Sequence, residues 1–349
     1  MFDKQLTADR QGRSGRNFSS RLFFLIGLPV VCFLVALFFG RFDATPYDVC
    51  RIIFGKLTGQ SNTWNPTLEA VIFNIRLPRI IAAMLIGGGL SVSGAAFQGV
   101  FRNPLVSPFI LGVATGAGFG AALGILFSGS DIVIQCTAFA FGLAAVLLSY
   151  GLTRIYKTSS ILVMALSGVI VGSFFSALIS LIKYVADPYD KLPVIVFWLM
   201  GSLATITKHD VLGLVFPMAL GIGLIMSMRW KINVLSMGGE EARSLGLESG
   251  WDRMLLIMAA TLITASAVAI SGVVGWVGLV IPHLARMVGG PDYRNLIPLS
   301  MSFGACYLLL IDTMARNMAS GEIPLGILTA TVGAPVFALI LKKGSLGWS

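Results

Sequence analysis

Met237-Gly-Gly-Glu-Glu-Ala-Arg-Ser-Leu-Gly-Leu-Glu-Ser-Gly-Trp-Asp-Arg253 is the most charged short stretch beyond residue 100, and long apolar segments flank it on both sides. Glu240 and Glu241 stand where a helix N-terminus favours negative charge, and Gly246 is placed to cap that helix at its other end. Ala242 and Leu245 are three apart and share one face. The stretch therefore reads as a compact two-helix knob set between apolar spans. A polar loop needs no apolar face, whereas a plug for another protein's groove does. An amphipathic linker lying on a lipid surface has the same pattern, so the residues alone leave these two readings level.

The flanking composition settles the class. Of 349 residues, 56% are hydrophobic and 12% charged; soluble domains carry roughly twice that charge. Forty glycines are spread among the apolar residues, as expected where helices pack closely in lipid. The fold is expected to be all-α and polytopic, since one bundle of about ten spans, at roughly 20 residues each, uses most of the length. No segment is long and polar enough for a soluble domain, so an ATPase or ligand-capturing domain would be a separate chain. The net charge of +9 suits topology and anionic headgroups rather than nucleic acid. Cys32, Cys50, Cys136 and Cys306 have no metal-type spacing, and His209 and His283 are too few for a histidine metal site.

Residues 1–20 read as a disordered cytoplasmic arm, 21–343 as one transmembrane domain and 344–349 as a tail. Leu22–Gly40 is expected to be a retained first span. Residues 41–68 form an external loop with a short amphipathic helix near Tyr47–Leu57. A second span follows Arg76-Leu-Pro-Arg79, and Arg102–Pro108 is an internal turn. In the third span, 109–127, Gly112, Gly116, Gly120 and Gly124 make a flat ridge. The fifth span, 161–183, repeats it with Gly168, Gly172, Ser176 and Ser180, a face that would line a channel or pack against another helix. Val194–Thr205 is too short to span and reads as re-entrant or interfacial. The seventh span is placed at about 254–271, leaving Arg253 in the knob. With these bounds 16 of the 25 Lys and Arg lie inside and 9 outside, which puts both termini in the cytoplasm.

Chemistry-bearing constellations are few. No phosphate-binding Gly-x-x-x-x-Gly-Lys-Ser/Thr exists, and no nucleophile–base arrangement stands out. His283 reads as a packed, hydrogen-bonded residue. Arg76 and Arg79 share a face at the outer end of the second span, and Arg316 lies at the outer end of the ninth. They read as snorkelling anchors or local ion pairs, with Asp312 the partner of Arg316. Asp312 is the one acid well inside a span. Ion-coupled carriers place ionisable groups near the midplane, so their scarcity favours a transporter powered from outside the membrane.

Gly238-Gly-Glu-Glu-Ala-Arg-Ser-Leu-Gly246 followed by Arg253 resembles the coupling loop of FecCD-type permeases, the membrane subunits of ATP-binding cassette importers for iron–siderophores, haem, vitamin B12 and related chelates. Further matches run in order: Arg76-Leu-Pro-Arg79, Gly94-Ala-Ala-Phe-Gln98, Arg102-Asn-Pro-Leu105, Gly278-Leu-Val-Ile-Pro-His-Leu-Ala-Arg286 and Leu325-Gly-Ile-Leu-Thr-Ala-Thr-Val-Gly-Ala-Pro-Val336. The resemblance implies a multi-pass inner-membrane permease with ten spans per subunit. It implies pairing with a second permease subunit, most simply as a homodimer, two ATPase subunits inside and one periplasmic or lipid-anchored binding protein outside. ATP and Mg would be held by the ATPase, with no cofactor in this chain. It assigns Gly238, Glu240, Glu241, Ala242, Arg243, Leu245, Gly246 and Arg253 to ATPase coupling, with Ala242 and Leu245 as the plug. By similarity to the family's vitamin B12 permease, it assigns Arg76, Arg79 and Arg316 to binding-protein docking. Asn103 and Leu105 match an inner gate, with Ser159 and Ser160 the other gate candidates. Iron–siderophore is the first choice of substrate; haem, cobalamin and molybdate or tungstate stay open. A stand-alone secondary transporter is the rival class.

Overall fold

A computed structural model describes residues 23–40, 42, 44–59, 64–155, 161–247, 249–319 and 321–344. The expected arm at 1–20, nearly all of the tail, and Ser159 and Ser160 lie outside the described residues.

The described chain is all-helical, with fourteen helices and no strand. In order they are α1 (Phe23–Phe38), α2 (Pro46–Thr58), α3 (Pro66–Val100), α4 (Val113–Phe127), α5 (Asp131–Ile155), α6 (Ile161–Val185) and α7 (Lys191–Met200), followed by α8 (Lys208–Ser227), α9 (Arg229–Met237), α10 (Gly239–Ser244), α11 (Ser249–Ser271), α12 (Val277–Gly289), α13 (Tyr293–Asn317) and α14 (Leu325–Gly344). Six of them, α3, α5, α6, α8, α11 and α13, are long and apolar enough to cross a membrane. The shorter apolar helices are α1, α4, α7, α12 and α14.

Local chemistry explains where several begin. Thr45 caps α2: its hydroxyl accepts from the Asp48 amide at 3.2 Å while the Asp48 carboxylate accepts from Thr45. Thr207 and Asp210 form the same reciprocal cap at α8. Gly112 opens α4 with φ +79°, a backbone that a side chain disfavours.

Buried α3 is the central post, packed by α11, α12 and α13. Three of the four predicted ridge glycines, Gly116, Gly120 and Gly124, lie on α4 and face α5, whereas Gly112 precedes the helix and meets α6. A Cβ on Gly120 would overlap the Thr137 carbonyl, and one on Gly116 would lie 2.5 Å from the Phe141 oxygen. Small residues there let two backbones touch. By contrast α6 leaves Leu162, Leu166, Val169, Ile170 and Phe174 exposed, a surface suited to lipid or a second subunit.

Three expectations need correction. The second span does not start near Arg76: α3 begins at Pro66 and is 35 residues long, about 52 Å at 1.5 Å per residue. That exceeds the roughly 30 Å of bilayer hydrocarbon, so the arginines sit well inside the helix. The third span starts at Val113 rather than 109, because residues 101–112 form an irregular turn ending at left-handed Gly112. Arg253 belongs to the first turns of α11 rather than to the knob. The α2 helix covers the expected residues 47–57, whereas α7 starts before Val194 and ends at Met200, so 201–205 of the expected 194–205 segment are not helical.

Candidate functional site

At one end of the bundle α9 and α10 project between α8 and α11. Both acids, Glu240 and Glu241, lie in the first turn of α10, where they complement the partial positive charge of exposed amides. Gly246 follows with φ +78°, and its amide donates to the Arg243 carbonyl, as a left-handed helix stop should. Glu241 folds back over Gly238, leaving no room there for a Cβ. The two residues expected to form a plug differ in burial. Leu245 is exposed, but Ala242 is fully buried in the chain's own core. Residue 242 points inward because α10 ends after six residues; Leu245 falls in the turn beyond it, so the three-residue spacing no longer keeps both on one face. Arg243 is exposed beside Leu245.

This projection is tied rigidly to two long helices. Lys231 Nζ on α9 pairs with Asp252 on α11 at 2.8 Å, and Asp252 is buried. Asn233 on α9 donates to the Asp292 carboxylate at 2.6 Å and accepts from the Tyr293 amide at 2.9 Å. Asp292 also caps α13 through the Arg294 amide. The Arg294 and Asn233 amide donors, with the nearby Arg294 and Arg229 charges, hold its carboxyl below the usual carboxylate range. These contacts link α9 to α11 and to the start of α13. None of these pairings was picked out from sequence, because the partners are 21 to 60 residues apart.

Close by, Asn103 bends the turn after α3: its side-chain oxygen accepts from the Leu105 amide at 2.9 Å, an Asx turn. Leu105 is exposed. The turn continues to Pro108, which with Leu90, Phe109, Trp276 and Leu279 lines a cavity of about 240 Å³. Trp276 holds φ +67° at the break between α11 and α12, an uncommon backbone for a bulky residue. On α6, Gly168 is buried against the Ile110 carbonyl and Gly172 approaches Gly112, whereas Ser176 and Ser180 are exposed. The predicted small-residue face is thus divided: one half packs and the other stays open.

The arginines near the other end of α3 are not an exposed face. Arg76 and Arg79 are 3% and 4% exposed and Arg316 6%. Arg79 donates from Nη1 and Nη2 to Glu322 at 2.8 Å each and from Nε to Asp312 at 2.9 Å. Asp312 is fully buried and also pairs with Arg316 at 3.2 Å. Arg76 donates to the Leu37 and Phe42 carbonyls at 2.9 and 2.6 Å. The Arg316–Asp312 pair was expected; the Arg79 contacts were not, because they join residues 233 and 243 apart. Burying an arginine demands such partners, so α1, α3, α13 and the loop before α14 are held together.

Among the described residues no three His, Cys, Asp or Glu side chains are grouped to hold a metal ion. His283 donates from Nδ1 to the Leu279 carbonyl at 3.0 Å and meets Phe337 edge-on.

Known proteins extend this picture. The model of the FecCD transport family matches residues 28–343. The molybdate import system permease MolB of Haemophilus influenzae is 40% identical over 328 residues, covering 93% of this chain and 97% of that protein. A probable iron chelatin transport system permease of Helicobacter pylori is also 40% identical, over 79% of this chain and 84% of its own. A solved structure of a metal-chelate type ABC transporter in an inward-facing conformation superposes with a TM-score of 0.83 at 39% identity, covering 92% of this chain and 98% of that one. The relatives are non-catalytic membrane subunits whose ATP is hydrolysed by a separate protein. With the match spanning nearly all the described helices, the chain belongs to the FecCD transport family and is the permease subunit of an ATP-binding cassette importer.

Proposed function

We propose that this permease imports a small oxyanion, molybdate or tungstate, handed over by an external binding protein. The observation that carries the choice is the extent of likeness to the molybdate permease, which spans 97% of that protein. This replaces iron–siderophore as the first reading. An iron chelate is the second, favoured by the equally identical iron chelatin relative, although it covers less of either chain. The open half of the α6 face offers the Ser176 hydroxyl, which suits an oxyanion as a donor; the Ser180 hydroxyl is turned to the Ser176 carbonyl.

On this reading two copies pair to form ten-span halves of one pathway in the inner membrane, with both termini in the cytoplasm. Two ATPase subunits engage α10 through exposed Leu245 and Arg243 and the helix-start acids Glu240 and Glu241. The tie from α9 to α11 and α13 supports this route for the stroke. The Asn103–Leu105 turn acts as the inner gate. The binding protein docks over the outer ends of α3 and α13. There Arg76, Arg79 and Arg316 act from beneath the surface, Arg79 exchanging Glu322, whose side chain keeps 23% exposure, for an acid of the docked protein. The substrate test is ligand binding by the cognate binding protein and uptake by the reconstituted importer. Molybdate-dependent uptake supports the reading; tight ferric-siderophore binding with none for molybdate or tungstate refutes it.

A further inference from the structure

Beside the coupling segment the charges of Arg102 and Arg243 reach Arg253, and among the described residues no acid pairs with any of the three. Arg253, in the first turns of α11, has its Nε buried and without a hydrogen-bond partner. Arg102 is exposed in the turn after α3, and Arg243 is exposed on α10; the charges of both bear on the Arg253 guanidinium. Among the described residues none of the three makes an ion pair. The nearest acid in sequence, Asp252, is taken by Lys231, and Glu241 is folded over Gly238. Arg102 also holds a left-handed backbone, φ +50°, of the kind that persists where surroundings enforce it.

A buried donor left unsatisfied and like charges drawn together both oppose folding. One incoming anion would relieve both, and a carboxylate can bridge guanidinium forks with short charge-assisted bonds. We propose that Arg102, Arg243 and Arg253 form a receptor for a single carboxylate of the ATPase subunit docked on α10. The proposal rests on the coupling reading above. It favours the ATPase over a lipid headgroup because two of the three arginines sit on the short helix and turn rather than on a span, and Arg243 belongs to the same short segment as exposed Leu245. The receptor also joins the gate turn to the coupling helix, so that docking registers at both.

The test uses the permease in lipid nanodiscs with ATPase subunits removed and titrated back at several salt concentrations. Arg253→Met should weaken ATPase binding at least tenfold. Arg102→Gln and Arg243→Gln, both at exposed sites, should weaken it less, and all three should flatten its salt dependence. The two exposed variants keep the test open should Arg253→Met fold poorly. Leu245→Asp separates the two claims. If it releases the ATPase while all three arginine variants bind as wild type does, coupling at α10 stands and the carboxylate receptor falls. If Leu245→Asp also leaves binding unchanged, the coupling reading fails first. Loss of a copurifying anionic lipid from Arg253→Met, with unchanged ATPase affinity, would assign the site to a headgroup and overturn the proposal.

Discussion

Replacing Asp312 with Asn probes the network between α3 and α13 most sharply. Asp312 is fully buried and is shared by Arg79 at 2.8 Å and Arg316 at 3.2 Å. The substitution keeps the shape and removes the negative charge that both arginines use. Breaking a buried ion pair by deleting one partner costs about 3–5 kcal/mol. At roughly 2–3 °C per kcal/mol for a chain of this size, the purified permease should lose about 6–15 °C in thermal midpoint. Arg79→Met should cost about 2 kcal/mol, because Asp312 retains Arg316 and Glu322 can turn toward solvent. Glu322→Gln should cost about 1 kcal/mol, since its side chain is 23% exposed and a neutral acceptor remains. The assay is thermal unfolding of the three variants in one detergent or nanodisc preparation. The order of effect is the decisive result. A near-wild-type midpoint for Asp312→Asn, or a Glu322→Gln variant as damaged as Asp312→Asn, would refute the view that the buried carboxylate organises this network.

Two further outcomes follow from particular contacts. Asp292 has a depressed pKa in the folded chain, set first by the Arg294 amide and then by Asn233. Its contribution is therefore complete above the ordinary carboxylate value of 3.8 and is lost as pH falls through the lower folded value; Asp292→Ala should remove that part of the acid-induced fall in stability, read by unfolding across pH 2–6. A Cβ on Gly94 would overlap the Gly278 carbonyl, a backbone atom that cannot rotate away, so Gly94→Ala should destabilise by about 1–3 kcal/mol and separate α3 from α12; an unchanged midpoint would show that the two helices adjust freely.

What could be read in advance follows from the range of each interaction. The α4 ridge was legible because Gly116, Gly120 and Gly124 lie on one face of one helix, and periodicity records that directly; it does not record that Gly112, in the same series, lies before the helix. Capping by Gly246 and the acids of α10 was legible for the same local reason. The start of α3 was hidden, since Asn, Thr, Pro and Gly in residues 41–68 suit a loop and Arg76 and Arg79 suit a span boundary, whereas the helix begins at Pro66 and runs through residues 70–75. Arg79 was misread as exposed because its partners, Asp312 and Glu322, come from the other end of the chain. Ala242 was misread because its apolar character suits a plug and a core alike, and only packing distinguishes them. The substrate is the least legible part: the open face of α6 is small and polar, and such a surface does not specify one cargo.

The central claim is that the short projection carrying Leu245 is where ATP hydrolysis enters this permease. The most direct measurement compares wild-type and Leu245→Asp importers reconstituted with ATPase and binding protein, following molybdate uptake, ATP hydrolysis and binding-protein association together. The account predicts that uptake is lost through uncoupled hydrolysis or release of the ATPase, while binding-protein association is unchanged. Uptake at the wild-type rate would contradict it and leave α10 as a surface linker.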